Sequence, residues 1–177
     1  MKLFIASDLH GSAHWCRRML QAFRDSGADK LVFLGDILYH GPRNDLPEEY
    51  APKAVIEMLN PLADRIIAVR GNCESEVDGI VLDFPVSADY GVVADENVTM
   101  YLSHGHRMVP KMVRGTVYLT GHTHVPLAET VDGYIHLNPG SASIPKEGSA
   151  HSYILYEKGI FTWHDLADGK EYKRMTL

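Results

Sequence analysis

Short apolar runs alternate with longer stretches of helical spacing over the first 71 residues. The runs predict buried strands, and the stretches predict helices. In chain order we expect a strand at 2–7, a helix at 14–27, a strand at 29–35, a helix at 52–64 and a strand at 64–71. Trp15, Met19 and Phe23 share one face of the first helix, and Gly27 ends it. This order indicates parallel strands with right-handed crossovers, as in α/β proteins.

The rest of the chain is rich in strands. Apolar runs with strand character lie at 98–106, 116–124, 127–141 and 151–166. The pairs Asp132-Gly133 and Lys158-Gly159 predict hairpin turns within the last two. The longest irregular stretch, at 37–52, holds three prolines and one glycine, which exclude a regular element. Loops of this length in compact domains are often functional.

Length and composition indicate one folded domain over residues 1–177. No uninterrupted apolar run approaches the roughly 20 residues that span a bilayer, so we expect no membrane insertion. Asp8 interrupts the N-terminal apolar run, which therefore predicts a first strand rather than a signal peptide. Only two cysteines, Cys16 and Cys73, are present. They cannot form a disulfide framework, so we expect a cytoplasmic protein.

The formal net charge of -6 argues against an extended nucleic-acid-binding face. Long polyanions require a basic stripe, and the sequence contains none. A small anionic substrate is compatible with this charge only where a local positive centre is supplied. The charge therefore directs attention to residues that bind cations.

Side chains that commonly bind metals stand where five of the predicted strands end. They are Asp8, His10, Asp36, Asn72, His104, His122 and His124. In open α/β sheets, residues beyond the carboxyl ends of different strands converge. The spacing of two positions within Asp8/His10 and within His122/His124 places each pair on one side of an extended segment. The sequence therefore predicts a single site built from all seven.

Each of these residues also has a simpler explanation when it is taken alone. An aspartate after a strand often closes a turn or caps a helix, and Gly-Asp and Gly-Asn are common turn pairs. The segment GHTH at 121–124 could be a solvated hairpin end. Coincidence is a poor explanation for the whole set, because the leading polar residues at all five strand ends are Asp, His or Asn.

The same segments resemble the motifs of a known family. DLH at 8–10, GD at 35–36, GN at 71–72, HGH at 104–106 and GHTH at 121–124 match, in order, the five motif blocks of the calcineurin-like metallophosphoesterases. The segments SDLHGS, HGPRN, AVRGNCES and NPGSASIPK also resemble the small bacterial YfcE-type phosphodiesterases, up to about Lys146. The resemblance implies an α/β fold in which two mixed β-sheets pack as a sandwich flanked by helices, a four-layer αββα arrangement.

The resemblance further implies two bound metal ions. One would be held by Asp8, His10, Asp36 and His124, and the other by Asp36, Asn72, His104 and His122. Mixed oxygen and imidazole ligands favour Mn, with Fe, Zn, Co or Ni as alternatives. Two divalent ions, two aspartates and a hydroxide leave a net charge of about +1, which attracts a phosphate. A hydroxide bridging the metals would attack phosphorus, which implies a two-metal phosphodiesterase acting on small phosphodiesters.

Six residues are expected to serve catalysis: Asp36, Asn72, His104, His106, Arg43 and Cys73. The first three would act as metal ligands. His106 follows a ligand by two positions and would contact either a ligand or the phosphate, unless it is an ordinary loop histidine. Arg43 would clamp an ester oxygen, together with Asn44, unless it is a solvated loop arginine. The remaining histidines and Cys16 are expected to be structural or at the surface.

Cys73 stands where many members of the superfamily have a histidine that assists the leaving group, because this chain has GNCE in place of GNHE. The YfcE-type branch shares this departure. No partner base is evident for a nucleophilic Cys73, and a thiolate ligand would add charge that the site does not need. A thiol of pKa about 8.5 is a poorer proton donor than imidazolium, so we expect slow hydrolysis of esters with poor leaving groups.

Two other functions remain open at this point. One is a phosphomonoesterase or nucleotidase, which differs from a phosphodiesterase in the ester that it cleaves. The other is a non-catalytic binding scaffold, because a retromer subunit resembles this fold while lacking parts of the metal set. All seven ligand positions are filled in this chain, which favours an enzyme. The resemblance also implies a possible homo-oligomer.

Overall fold

A computed structural model describes all 177 residues. The strands are β1 (Lys2–Ala6), β2 (Lys30–Phe33), β3 (Ile66–Ala68), β4 (Tyr90–Ala94), β5 (Thr99–Ser103), β6 (Val117–Leu119), β7 (Leu127–Val131), β8 (Tyr134–Asn138), β9 (Ser152–Glu157), β10 (Ile160–Asp165) and β11 (Glu171–Thr176). The α-helices are α1 (Ala13–Ser26), α2 (Pro52–Leu59) and α3 (Asp78–Val81), and a 3-10 helix follows α2 at Asn60–Arg65.

The strands form two mixed sheets. The first has six strands in the order β11-β10-β9-β1-β2-β3, and the second has five in the order β4-β5-β6-β8-β7. Strands β1, β2 and β3 run parallel, as expected for the strand–helix alternation of the first half. Strands β5, β6 and β8 are also parallel to one another. Each sheet therefore has several carboxyl strand ends at one edge.

Alternate residues of β1 serve two different cores. Leu3 and Ile5 face the second sheet and join the buried cluster between the sheets. Phe4 and Ala6 face the opposite way and pack in the cluster that includes α1 and α2. This period of two is the expected signature of a strand that is buried on both faces. The structure confirms two packed mixed sheets with flanking helices.

All helices precede β4 in the chain, and they pack in the first cluster, against the six-stranded sheet. On the outer face of the five-stranded sheet, the buried Tyr118 lies against Tyr134 and His136. Side chains of the sheet itself therefore pack on this face. No helix of the chain has the length and apolar character that a bilayer crossing requires.

Local signals placed most elements correctly. Helix α1 begins after Ser12, whose hydroxyl accepts the Trp15 N–H at 3.2 Å, and ends at Gly27 with φ of 64°. Both hairpin turns occur at the predicted glycine pairs, and the stretch between β2 and α2 is irregular. The predicted helix at 52–64 is shorter, because it tightens into the 3-10 helix around Pro61. Only β3 forms within the predicted strand at 64–71, and the sequence pattern did not predict β4, β11 or α3.

Candidate metal centre

The seven predicted ligands come from the strand ends of both sheets. Asp8 and His10 follow β1, Asp36 follows β2, Asn72 follows β3, His104 follows β5, and His122 and His124 follow β6. The first four residues belong to the six-stranded sheet and the last three to the five-stranded sheet. The site therefore lies across the contact between the two sheets.

Five of the predicted ligands meet within a few ångströms. His124 Nε2 lies 3.2 Å and His10 Nε2 lies 3.6 Å from Asp8 Oδ1. His104 Nε2 lies 3.3 Å from Asp36 Oδ2 and 3.9 Å from Asp8 Oδ1. A further distance of 3.7 Å joins His10 Nε2 to Asp36 Oδ2. Both carboxylates therefore lie between imidazoles, as a bridging ligand would.

Asn72 and His122 lie on the His104 side of this cluster. Asn72 Oδ1 is 3.1 Å from His104 Nε2, and the ring centroids of His122 and His104 are 5.1 Å apart. The His122 backbone N–H also donates to Asp8 Oδ2 at 3.0 Å. Unlike the other histidines, His122 has no imidazole nitrogen in the close donor groups around Asp8 and Asp36.

The backbone at these positions has an unusual conformation. The φ angles of Asp8, His10, Asp36, His122 and His124 lie between 49° and 68°, in the left-handed region. Few side-chain-bearing residues adopt this region, and strain of this kind clusters at functional sites. Five of the seven predicted ligands therefore sit on turns that aim their side chains away from the regular strand direction.

Backbone carbonyls fix the orientation of three imidazoles. The Nδ1 atoms of His10, His104 and His124 lie 2.8, 2.7 and 2.6 Å from the carbonyl oxygens of Tyr39, Leu34 and Ile144. Because a carbonyl only accepts, each Nδ1 carries a proton, and in the neutral imidazole Nε2 keeps a lone pair that can face a metal ion. Hydrogen bonds of this type commonly orient histidines that bind metals.

Lone pairs consequently face one another inside the cluster. His10 Nε2 and His124 Nε2 lie 3.2 Å apart, and His104 Nε2 faces the carbonyl-type Oδ1 of Asn72. Asp8 Oδ1 is buried and receives no hydrogen bond. Acceptors that converge in this way repel one another unless a cation lies between them. The mixture of oxygen and imidazole donors therefore fits divalent transition-metal ions.

The pKa values in the cluster also show that its carboxylates favour a positive charge nearby. Burial favours the neutral form of His104, but the carboxylates of Asp8 and Asp36 outweigh it and raise its pKa to about 9. Burial opposes ionisation of Asp8, yet His104, His10 and His124 hold its pKa well below the usual range. The pKa of Asp36 is lowered too, because His104 outweighs its burial. Both carboxylates are thus ionised at neutral pH.

Glu74 is a buried residue of the site that the sequence analysis missed. Its two carboxylate oxygens accept the backbone N–H groups of Asp36 at 2.9 Å and Ile37 at 2.6 Å. It also accepts the N–H of Gly71. Burial and the nearby Asp36 charge raise its pKa to about 7. Glu74 thus ties the turn after β2 to the turn after β3. Its position directly after GNC was the available signal.

Two serines and two glycines complete the frame around the aspartates. The hydroxyls of Ser141 and Ser143 donate to the Asp8 carbonyl at 2.7 and 3.0 Å and hold its turn in place. A side chain at Gly71 would overlap the Asp36 carboxylate, and one at Gly121 would overlap Ser7. Close approach of the turns therefore requires glycine at both positions.

The Cys73 side chain lies beside His10 and Asp36. Its backbone N–H donates to Asp36 Oδ1 at 2.9 Å, and its sulfur accepts the Asn72 amide at 3.2 Å. Burial and the Asp36 charge raise the pKa of the thiol. Cys73 therefore carries its proton at neutral pH, which is unsuitable for a nucleophile.

A cavity of about 350 Å³ opens next to the cluster. Four predicted ligands line it: Asp36, Asn72, His122 and His124. The other lining residues are Arg43, Asn44, Thr123 and Lys146, so no apolar side chain faces the cavity. Arg43 thus lies where the sequence placed it, whereas Lys146 was not predicted as a site residue.

His106 lies behind the ligands rather than in this cavity. Its ring centroid is 5.4 Å from that of His104 and 6.2 Å from that of His122. Burial and the charge of His104 lower its pKa. His106 is therefore a neighbour of two predicted ligands, and its lowered pKa favours the neutral form.

Comparisons with known proteins agree on one family. Residues 1–158 match the family model described as the calcineurin-like phosphoesterase superfamily domain. The chain is 48% identical over 166 residues to Phosphodiesterase YfcE of Escherichia coli strain K12, an alignment that covers 92% of this chain and 90% of that protein.

Solved structures show the same fold. The structure of YfcE, a phosphoesterase from E. coli, superposes with a TM-score of 0.96 and 45% identity, over 99% of both chains. Vacuolar Protein Sorting 29 from Cryptosporidium parvum superposes with a TM-score of 0.66 and 19% identity, over 99% of this chain and 98% of the other. The second likeness concerns the fold alone.

Proposed function

Because this chain belongs to the calcineurin-like phosphoesterase superfamily, we propose that it is a metal-dependent phosphodiesterase that uses two divalent transition-metal ions to hydrolyse small phosphodiesters. The single observation that carries the proposal is the convergence of acceptor atoms between the sheets. His10 Nε2 and His124 Nε2 lie close together beside the hydrogen-bond-free oxygen of Asp8, an arrangement that a bound metal ion would stabilise. The phosphodiesterase relative supports the choice of ester.

In this proposal the ligands divide as the resemblance implies. Asp8, His10, Asp36 and His124 hold one ion, and Asp36, Asn72, His104 and His122 hold the other. Asp36 is the shared ligand that the resemblance implies, and the distances of its Oδ2 from His10 Nε2, 3.7 Å, and from His104 Nε2, 3.3 Å, are compatible with sharing. Mn is the proposed metal, and Fe, Zn, Co and Ni suit the same donors.

When bound, the ions supply an activated water as nucleophile and neutralise charge on the phosphate oxygens. The chain contributes the orientation of the ligands, through Glu74 and the backbone carbonyls. Arg43, at the mouth of the cavity, binds an ester oxygen. Hydrolysis forms a P–O bond from water and breaks the ester P–O bond, and the leaving oxygen gains a proton. Because Cys73 is a poor donor, this proton comes from solvent.

Elemental analysis combined with kinetics tests the proposal. The protein is stripped with a chelator, reconstituted with Mn²⁺, and assayed on bis(p-nitrophenyl) phosphate and on p-nitrophenyl phosphate. We expect two ions per chain, loss of activity on stripping, recovery on reconstitution and a preference for the diester. Trace metal after reconstitution would overturn the metal site, and a preference for the monoester would favour a phosphomonoesterase. Full metal binding without hydrolysis of either ester would favour a binding scaffold.

Cytoplasmic location and self-association stay predictions. Location is supported by the two cysteines, which are both unpaired thiols in the structure. Gel filtration with light scattering would measure the oligomeric state.

A further inference from the structure

Two basic side chains border the cavity of the metal centre without any partner of their own. Arg43 and Lys146 both line the cavity, and neither forms an ion pair within the chain. Some other basic residues, among them Arg17, Lys170 and Arg174, pair with a carboxylate. The two cations at the cavity are therefore available to an anion from solution.

The backbone of Lys146 is tied to a proposed ligand. The Lys146 N–H donates to the carbonyl of His124 at 3.3 Å. The Ser149 hydroxyl donates to the Lys146 carbonyl at 2.7 Å and lies 3.4 Å from the His124 carbonyl. Arg43 has comparable support, because the side chain of its neighbour Asn44 donates to the His40 carbonyl at 2.8 Å. Both cations thus extend from anchored turns.

The rest of the cavity is polar. Asn44, Asn72 and Thr123 offer hydrogen bonds, and no aliphatic or aromatic side chain faces the space. An apolar group of a substrate would gain nothing from burial there. The non-reacting part of a well-bound substrate is therefore expected to be small and polar.

The positive charge at the cavity exceeds what a simple phosphodiester can neutralise. Two divalent ions, two aspartates and a hydroxide leave about +1, and a simple phosphodiester carries about -1. Arg43 and Lys146 add two further positive charges at the same cavity. A substrate that carries more negative charge than the reacting diester group alone would neutralise this excess of positive charge.

We propose that Lys146 binds a second anionic group on the substrate, beside Arg43, which binds an ester oxygen of the reacting phosphate. This inference rests on the proposed phosphodiesterase function and deepens it. The preferred substrates are phosphodiesters in which one ester group is small, polar and negatively charged, as in a carboxyalkyl ester. Lys146 thereby acts as a specificity-determining residue, and the reacting phosphate binds at the metal ligands.

The test uses two synthetic diesters with one leaving group. p-Nitrophenyl propyl phosphate and p-nitrophenyl 2-carboxyethyl phosphate have nearly the same shape and differ in one carboxylate. The Mn-loaded wild type should show the higher kcat/KM for the carboxylate ester. Lys146→Met should reduce the ratio of the two kcat/KM values about 5- to 10-fold, mainly through KM, because a charged contact is lost. Lys146→Arg should retain the ratio.

A matched control and a binding measurement complete the design. Lys170→Met removes an exposed lysine that pairs with Asp168, and it should keep the wild-type ratio. Calorimetry compares 3-phosphonopropionate with propylphosphonate, two probes that are not hydrolysed and that differ by a carboxylate in place of a methyl group. Wild type should bind the carboxylate probe more tightly, and Lys146→Met should lose most of this difference.

The outcomes separate the inference from the function on which it rests. If both diesters are hydrolysed in a metal-dependent way but Lys146→Met keeps the wild-type ratio, the inference is wrong and the function stands. Equal affinities of the two phosphonates for the wild type would overturn it as well. If neither diester is hydrolysed, the proposed function is wrong, and the phosphonate comparison still decides whether Lys146 recognises an anion.

Discussion

The carboxylate of Glu74 accepts the backbone N–H of Asp36 in a hydrogen bond of 2.9 Å, although 38 positions separate the two residues. Its second oxygen accepts the N–H of Ile37. These bonds hold the left-handed turn at Asp36, whose φ is 56°, against the turn after β3. Glu74 is therefore a positioning residue for the carboxylate that lies between two imidazoles.

Glu74→Gln should weaken metal binding by about 10- to 100-fold, the usual loss for residues that orient ligands. A carboxylate accepts with both ends, whereas an amide would turn its NH₂ group toward a backbone N–H. Calorimetric titration with Mn²⁺ measures the affinity. Glu76→Gln is the control, because it removes an exposed carboxylate two positions away. Equal affinities in the two variants would contradict the positioning role.

Asp36→Asn should be the most damaging single ligand substitution. The change weakens both ions and raises the charge of the site by one. Metal content by elemental analysis and turnover of the aryl diester should both fall, whereas Asp45→Asn in the exposed loop should change neither. Two bound ions with near-normal turnover in Asp36→Asn would refute the shared-ligand assignment.

Cys73→Ala should retain both ions and much of the activity on aryl diesters, because p-nitrophenolate leaves without a proton. Cys73→His should raise the activity on alkyl esters relative to aryl esters by up to about 10²-fold, the scale of general-acid assistance. Inactive but fully metallated Cys73→Ala would show that the thiol takes part directly.

Arg43→Ala should raise KM for charged esters while metal content is unchanged, because the guanidinium is available to the ester oxygens and is not a metal ligand. Steady-state kinetics at matched metal loading measure the effect. Arg24→Ala on α1 removes a charge far from the cavity and serves as the control. Unchanged kinetics in Arg43→Ala would make Arg43 an ordinary solvated arginine.

Metal-free protein should lose stability as the pH rises from about 6.5 to 9. The folded pKa of His104, about 9, lies above its unfolded value, so its contribution is complete below about 6.5 and is lost through pH 9. Asp8 and Asp36 have lowered pKa values, so their contributions are lost only in acid. Urea midpoints across this range measure the effect.

His104→Gln is the matched variant for this pH dependence, since it removes the titrating group at the same place. Its metal-free form should show a flatter profile of urea midpoint against pH between about 6.5 and 9. A wild-type profile as flat as that of the variant would show that the carboxylates do not hold a proton on His104.

The site could be predicted largely because local motifs carry its ligands. Asp8 and His10 follow one apolar run, and His122 and His124 follow another, so each pair could be recognised locally. The meeting of the two pairs depends on the packing of the two sheets, because β1 and β6 lie in different sheets. Glu74 could not be predicted in this way, because its role depends on hydrogen bonds to residues on another turn. Lys146 could not be predicted either, because nothing in the sequence distinguishes it from other exposed lysines before the cavity beside it is known.

The missed strands have a related cause. Strand β4 lies at the edge of its sheet, and Tyr90, Val92 and Ala94 are exposed, so its apolar pattern does not mark a buried face. Strand β11 is also an edge strand and consists mostly of polar residues. Edge strands pair on one side only, and their sequences are therefore less constrained by packing.

Because the predicted ligands come from both sheets, the proposed ions would also link the two sheets. An ion held by His124 on one side and by Asp8 on the other joins the layers of the sandwich at that edge. Without it, the strand ends of the two sheets lose this link, which favours their separation and exposes the chain to proteases. The cellular lifetime of the protein, and not only its turnover, would then follow the supply of metal.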